Sequence, residues 1–221
     1  MYKILKKEAL NPTVTRMVIE APFVAKRAKA GQFIILRVHK RGERLPLTIA
    51  DSNPEKGTVT IIFQVVGETT MLLNALNEGD CLKDFAGPLG KPSVIDGNKK
   101  VCIIGGGVGC AIAYPTAKAF HEAGADVTTI VGFRNKDLVI LEEEFKKVSD
   151  AYYLMSDDGS VGEKGLVTNK LEDLITGGEK FDQVVDIGPI VMMKILSLTT
   201  KKYNIPTTVS MNPEMIDATG K

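Results

Sequence analysis

The pattern of apolar and polar residues changes near residue 97. Before that point, Thr13–Ile19 alternates apolar and polar side chains, the period of a half-buried β-strand, and Thr58–Val66 is a second predicted strand. Strands are also predicted at Tyr2–Leu5, Phe33–Val38, Arg44–Ala50 and Asp80–Phe85, with a short helix at Met71–Leu76. Four to six short strands joined by Gly and Pro turns predict a compact antiparallel barrel over residues 1–97.

From residue 98 onward, apolar strand patterns alternate with helical ones. Strands are predicted at Val101–Ile104, Val127–Phe133, Ala151–Ser156, Phe181–Ile187 and Thr207–Met211. Helices are predicted between them at Ala111–Ala123, Leu141–Ser149, Val167–Leu174 and Ile190–Tyr203. This alternation predicts a parallel sheet with right-handed crossovers. We assign residues 98–211 to a Rossmann-like α/β domain and residues 212–221 to a C-terminal segment.

A glycine-rich turn separates the first strand and helix of this second half. The sequence VCIIGGGVG places Gly105, Gly106, Gly107 and Gly109 between a buried strand and a helix. Glycines allow the backbone to approach a ligand, and the helix N-terminus favours an anion such as a pyrophosphate. The spacing differs from G-x-G-x-x-G because Cys110 stands at the last position. An ordinary tight strand-to-helix connection is therefore the alternative to a nucleotide site.

The other strand ends carry polar or Gly-Pro loops. They contain Arg134, the pair Asp157 and Asp158, and Gly188-Pro189. Ligands of open α/β sheets bind at the carboxyl ends of the strands, so these loops predict a binding site. Met192 follows at the start of a helix, where it is either a core residue or a cofactor contact.

Composition excludes several functions. The net charge is +1, so polyanion binding is not expected. No segment is long and apolar enough for a membrane span or resembles a secretion signal, which predicts a cytoplasmic protein. The three cysteines, Cys81, Cys102 and Cys110, lack C-x-x-C spacing and are expected to be reduced, buried thiols. The sequence contains no zinc-site spacing, no P-loop and no G-x-S-x-G elbow.

Five motifs in order resemble the ferredoxin-NADP reductase superfamily over nearly the whole chain. They are RLPLT at residues 44–48, GETT at 67–70, GPLG at 87–90, GGGVG at 105–109 and GP at 188–189 followed by Met192-Met193. SDDGSVGEKGLVT at 156–168 and VSMNPEMIDATGK at 209–221 add a narrower resemblance. These two segments resemble the small flavin-bearing subunits of NADH-dependent reduced ferredoxin:NADP oxidoreductases. The electron-transfer subunits of dihydroorotate dehydrogenases are also similar.

The resemblance implies FAD on the barrel and a nicotinamide dinucleotide on the α/β domain. Arg44 and Thr48, with Pro46 and Leu47 between them, would hold the flavin. Gly67, Thr69 and Thr70, expected just before the short helix, would complete its phosphate cradle. The glycine turn, with Arg134, Asp157, Asp158 and Met192, would bind the coenzyme. Gly188 and Pro189 would make room for nicotinamide stacking, and no acid or base catalyst is expected. The alternative for Arg44 is a solvated charge at the end of a strand.

The same resemblance sets expectations about coenzyme and partners. Carboxylates at 157 and 158 favour NAD(H) over NADP(H), although Arg134 is a counterargument. The family continues into a cysteine cluster that binds a two-iron, two-sulfur centre, but its ligands cannot be assigned to any residue of this chain. We expect single-electron transfer to a larger oxidoreductase subunit, to ferredoxin, or to both. The alternatives are a dihydroorotate dehydrogenase electron-transfer subunit and a cofactor-free scaffold.

Overall fold

The computed structural model describes residues 2–97 and 99–211. Within this range the chain divides into two compact units at Ser93 and Val94. The sequence places this boundary slightly later, between residues 97 and 98. The predicted C-terminal segment, 212–221, lies outside the described residues.

The first unit is an antiparallel, nearly closed barrel, which confirms the predicted fold class. Its seven strands follow the order β6-β1-β2-β5-β4-β3-β7, one more than the largest number predicted. The strands are β1 (Tyr2–Asn11), β2 (Val14–Glu20), β3 (Phe33–Arg37), β4 (Leu45–Asn53), β5 (Thr58–Gln64), β6 (Cys81–Leu82) and β7 (Asp84–Leu89). The helices are α1 (Pro22–Ala25) and α2 (Glu68–Ala75). The sequence prediction missed α1, which is a single turn beginning at a proline.

Two expectations for the first unit are wrong. Helix α2 begins at Glu68 and not at Met71, so Thr69 and Thr70 lie in its first turn and not before it. The Thr70 hydroxyl accepts the backbone N–H groups of Val66 and Gly67 at 3.0 Å each, which stabilises the earlier start. Cys81 is exposed on the two-residue strand β6 and is not a buried thiol.

The second unit is a six-stranded sheet with helices, and its adjacent strands pair in parallel as predicted. The strand order is β11-β10-β9-β8-β12-β13. The strands are β8 (Lys100–Gly106), β9 (Asp126–Phe133), β10 (Ala151–Ser156), β11 (Glu163–Lys164), β12 (Gln183–Ile187) and β13 (Thr207–Val209). The helices are α3 (Cys110–Glu122), α4 (Glu142–Lys147), α5 (Val167–Thr176) and α6 (Ile190–Lys202).

An apolar cluster stabilises each unit. In the barrel, Ile4, Met17 and Ile61 are fully buried in the same cluster. In the α/β unit, Cys102 and Ile104 of β8 pack with Leu171 of α5 and Leu196 of α6. These cores hold β4 and α2 in the first unit, and the carboxyl ends of β8 and β12 in the second.

Candidate functional site

The side chains of the RLPLT motif that lie in strand β4 are divided between its two faces. Leu45 and Leu47 pack against the barrel core, so Pro46 and Thr48 lie on the opposite face because side chains alternate along a strand. Arg44 is exposed directly before β4. Its guanidinium has no ion pair among the residues that the structure describes. The motif therefore offers one cation and one hydroxyl, while the Leu47 side chain is used for packing.

The N-terminus of α2 supplies further hydrogen-bond donors. The N-cap residue is Gly67, which has no side chain to accept the first-turn N–H groups. A Cβ at Gly67 would find no atom of the described residues within 4 Å, so the space beside this turn is open to them. The hydroxyl of buried Thr70 already bonds to Val66 and Gly67, so Thr70 holds the turn in place.

The structure brings the first turn of α2 to the start of β4. The Thr69 hydroxyl donates to the Glu43 carboxylate at 2.8 Å. Thr69 therefore lies beside the residue that precedes Arg44. An internal carboxylate stands at this helix N-terminus, where an anion is stabilised by the helix dipole. This donor set of Arg44, the Thr69 hydroxyl and free backbone N–H groups fits a diphosphate.

The glycine turn of the second unit is shorter than predicted, because its first two glycines belong to strand β8. Strand β8 continues through Gly106, and a 3-10 turn over Gly107–Gly109 leads into α3. Gly107 has φ +56°, and a Cβ there would meet no atom within 4 Å. Gly107 thus combines a backbone conformation that favours glycine with open space for a ligand.

Gly106 and Gly109 have a packing role that the sequence alone did not reveal. A Cβ on Gly106 would lie 2.6 Å from the Met192 Sδ and 3.0 Å from the Pro189 Cδ. A Cβ on Gly109 would lie 2.5 Å from the Ile187 carbonyl oxygen and 3.0 Å from the Gly188 Cα. The glycines allow the two turns to touch, so the structure brings together residues 106, 109, 188, 189 and 192.

The coenzyme-selectivity candidates lie at the ends of β9 and β10. The backbone N–H groups of Asp157 and Asp158 donate to the carbonyls of Phe133 and Arg134, at 3.1 and 3.3 Å. Arg134 is therefore next to both aspartates. All three side chains are exposed.

The two aspartates differ in what their carboxylates bind. Asp158 accepts the backbone N–H of Ser160 at 2.9 Å. Hydrogen bonds from Ser160 lower the pKa of Asp158. Among the described residues, no hydrogen bond or ion pair involves the Asp157 carboxylate. Asp157 is thus the carboxylate available to a ligand.

Asp186 is a buried carboxyl group that the sequence analysis did not single out. It lies on β12, two residues before Gly188, with an exposed fraction of 0%. Neither carboxyl oxygen has a hydrogen-bond partner within residues 2–97 and 99–211. Burial raises the pKa of Asp186 to about 7. The available signal was a single acidic residue inside the apolar strand Gln183–Ile187.

No group of three or more His, Cys, Asp or Glu among the described residues is placed to hold a metal ion. Burial raises the pKa of the Cys102 and Cys110 thiols well above their ordinary value. None of the described helices is long and apolar enough to span a bilayer.

Solved structures of other proteins share the fold of this chain. A 43% identical structure, from work on an NADH-dependent reduced ferredoxin-NADP oxidoreductase, superposes with a TM-score of 0.92. That match covers 100% of this chain and 79% of the other. A ferredoxin reductase of carbazole 1,9a-dioxygenase shares the fold at 18% identity, with a TM-score of 0.76. The architecture is that of the ferredoxin-NADP reductase superfamily, as predicted.

Sequence relatives define the family more narrowly. A Thermotoga maritima protein named as a homolog of the dihydroorotate dehydrogenase B (NAD(+)) electron transfer subunit is 45% identical over 220 residues, covering 100% of this chain and 77% of the relative. The corresponding subunit of Streptococcus pneumoniae is 34% identical over 202 residues, covering 89% of this chain and 77% of the relative. No family model matches. The chain belongs to the family of dihydroorotate dehydrogenase B electron transfer subunits and their homologues.

Proposed function

We propose that this chain is an FAD-dependent electron-transfer subunit that oxidises or reduces a nicotinamide dinucleotide. The observation that carries the proposal is the donor set at the start of β4 and α2, where exposed Arg44 and the open N-terminus of α2 lie on one unit. FAD carries a diphosphate, which matches these donors. Two relatives named above as electron transfer subunits support the same function.

Each residue of the barrel site has a definable task. Arg44 would bind the diphosphate by charge-assisted hydrogen bonds, and the Thr69 hydroxyl would donate to it. Thr48 and the backbone at Pro46 and Leu47 would orient the isoalloxazine edge. Gly67 would leave room for the phosphate, and Thr70 would hold the turn that presents it. The bound flavin would supply hydride and single-electron chemistry, so no catalytic acid or base is required.

The α/β unit would bind the coenzyme at the carboxyl ends of its strands. Gly107 leaves space for the diphosphate, while Gly105, Gly106 and Gly109 permit the close approach of turn and helix. The turn at Gly188 and Pro189, supported by Met192, would shape the nicotinamide subsite. The protein would thereby contribute position and exclusion of water to hydride transfer.

A larger subunit is the proposed electron acceptor or donor. The names of the relatives favour a dihydroorotate dehydrogenase catalytic subunit, and the 43% identical structure favours a ferredoxin:NADP oxidoreductase partner. An iron-sulfur centre would lie between the flavin and the final acceptor. A pull-down followed by mass spectrometry would separate these two partners. A preparation without flavin absorbance after gentle purification would instead support the scaffold alternative.

Replacing Arg44 with alanine is expected to weaken FAD binding while the α/β unit stays folded. Loss of a charge-assisted contact to a diphosphate should cost roughly 1.5 to 3 kcal/mol, or about ten- to a hundredfold in affinity. Flavin retained after gel filtration measures the effect. Arg41→Ala is the matched control, because Arg41 carries the same charge in the neighbouring exposed turn. Equal flavin content in the Arg44→Ala protein and the wild type would contradict the assignment.

NADH is expected to reduce the flavin faster than NADPH at low concentration. The exposed Asp157 carboxylate would repel a 2′-phosphate, and Asp157→Ser should improve the NADPH-to-NADH ratio of kcat/KM by about tenfold. Asp173→Asn on α5 is the control, because it removes an equal charge from another exposed position. Faster reduction of the wild-type protein by NADPH would show that Arg134 dominates the site.

A further inference from the structure

Glu43 occupies a position that the proposed flavin site needs. Its carboxylate accepts the Thr69 hydroxyl at 2.8 Å, and Thr69 is the second residue of α2. The hydroxyl and the adjacent first-turn N–H groups are donors that a diphosphate would use. Glu43 therefore stands where an external anion would bind.

The Thr69 hydroxyl cannot donate to two anions at once. Glu43 and Arg44 are neighbours in sequence, directly before β4, so the Glu43 carboxylate belongs to the segment that would bind the diphosphate. A hydroxyl group has a single proton to donate. Thr69 therefore donates either to Glu43 or to a diphosphate, but not to both.

We propose that Glu43 is a displaceable internal anion, which binds the Thr69 hydroxyl and must release it before this hydroxyl can donate to the flavin diphosphate. This inference rests on the proposed function, because it assigns a competitor to the same site. Both residues are accessible to an incoming ligand, since Glu43 is exposed and Thr69 is half-buried. The bond also joins the start of β4 to α2 across 26 residues of sequence.

The test compares FAD binding to flavin-stripped full-length protein by stopped-flow quenching of flavin fluorescence. Glu43→Ala removes the internal anion, and we expect roughly two- to tenfold tighter binding with a faster association rate, the range of one net hydrogen bond. Glu55→Ala is the matched control. Glu55 is an equally charged, exposed residue beyond the far end of β4, roughly 25 Å away by strand rise.

A double-mutant cycle separates a competing hydrogen bond from general charge repulsion. In the Thr69→Val background the Glu43–Thr69 bond is absent, so Glu43→Ala should change FAD affinity by less than twofold. An equal gain in both backgrounds would overturn the proposal, because charge alone would then explain it. Inorganic pyrophosphate, used as a competitor against FAD, should show the same order of affinities among the variants.

The outcomes distinguish this inference from the function on which it rests. If the wild type binds FAD and Glu43→Ala binds it with the same affinity and rate, the competitor role is wrong and the proposed function stands. If no variant binds FAD while circular dichroism shows folded protein, the proposed function is wrong. Tighter binding by Glu43→Ala alone, lost in the Thr69→Val background, supports both.

Discussion

Replacing Asp186 with valine is expected to stabilise the α/β unit at neutral pH. The Asp186 carboxyl is fully buried without a hydrogen-bond partner, and its pKa is raised to about 7 by burial. The ordinary value is 3.8. A shift of this size corresponds to roughly 4 kcal/mol at and above pH 7. Valine has a similar volume and suits a buried parallel strand.

The pH dependence follows from the direction of this shift. Between pH 4 and 7 the unfolded state binds fewer protons at this group than the folded state. The free energy of unfolding of the wild type should therefore fall as pH rises through this range, then level off. Below pH 4 the Asp186 carboxyl is protonated in both the folded and the unfolded state, so the cost of burying its charge is absent. Cys102, which is also buried and whose pKa is raised further by Asp186, is the titratable neighbour that stays protonated throughout.

Urea unfolding followed by far-ultraviolet circular dichroism measures this effect, because the chain has no tryptophan. Asp186→Asn is the matched variant, since it keeps a polar group of the same shape without a charge. It should remove the pH dependence but retain the cost of an unsatisfied buried amide. Parallel loss of stability with pH in the wild type and the Asp186→Val protein would contradict the expectation.

The second large effect is expected at Gly109. Its Cβ position lies 2.5 Å from the Ile187 carbonyl oxygen and 3.0 Å from the Gly188 Cα, so alanine would collide with backbone that cannot rotate away. Gly109→Ala should lower the free energy of unfolding of the α/β unit by about 3 kcal/mol. Dinucleotide binding should decrease with it, because the two turns would separate.

Gly107→Ala is the informative control for Gly109→Ala. A Cβ at Gly107 has open space, and the positive φ costs only about 1 to 2 kcal/mol. We expect a smaller loss of stability but a clear loss of NADH affinity, because the methyl group would project into the proposed coenzyme site. Thermal unfolding and NADH titration of both variants provide the comparison. Wild-type stability of Gly109→Ala would show that the two turns are not tightly packed.

Local patterns were sufficient for most elements of the fold. Alternation in Thr13–Ile19 and the apolar run before Gly105 reflect the period of a strand and burial on both faces, so both strands were predicted. The ends of helices and strands, by contrast, depended on individual hydrogen bonds. The start of α2 was missed because the contribution of the Thr70 hydroxyl depends on how the chain folds back at Val66 and Gly67.

Periodicity and motif order in the sequence determined the class of this protein: a barrel, a parallel sheet and two regions that carry the motifs proposed to bind phosphate. The tertiary structure alone decided which of those residues meet. Met192 contacts Gly106, Glu43 binds Thr69, and Asp186 is buried without a partner. The physical reason is that periodicity arises from neighbouring residues, whereas such contacts and burial depend on segments that only the fold brings together.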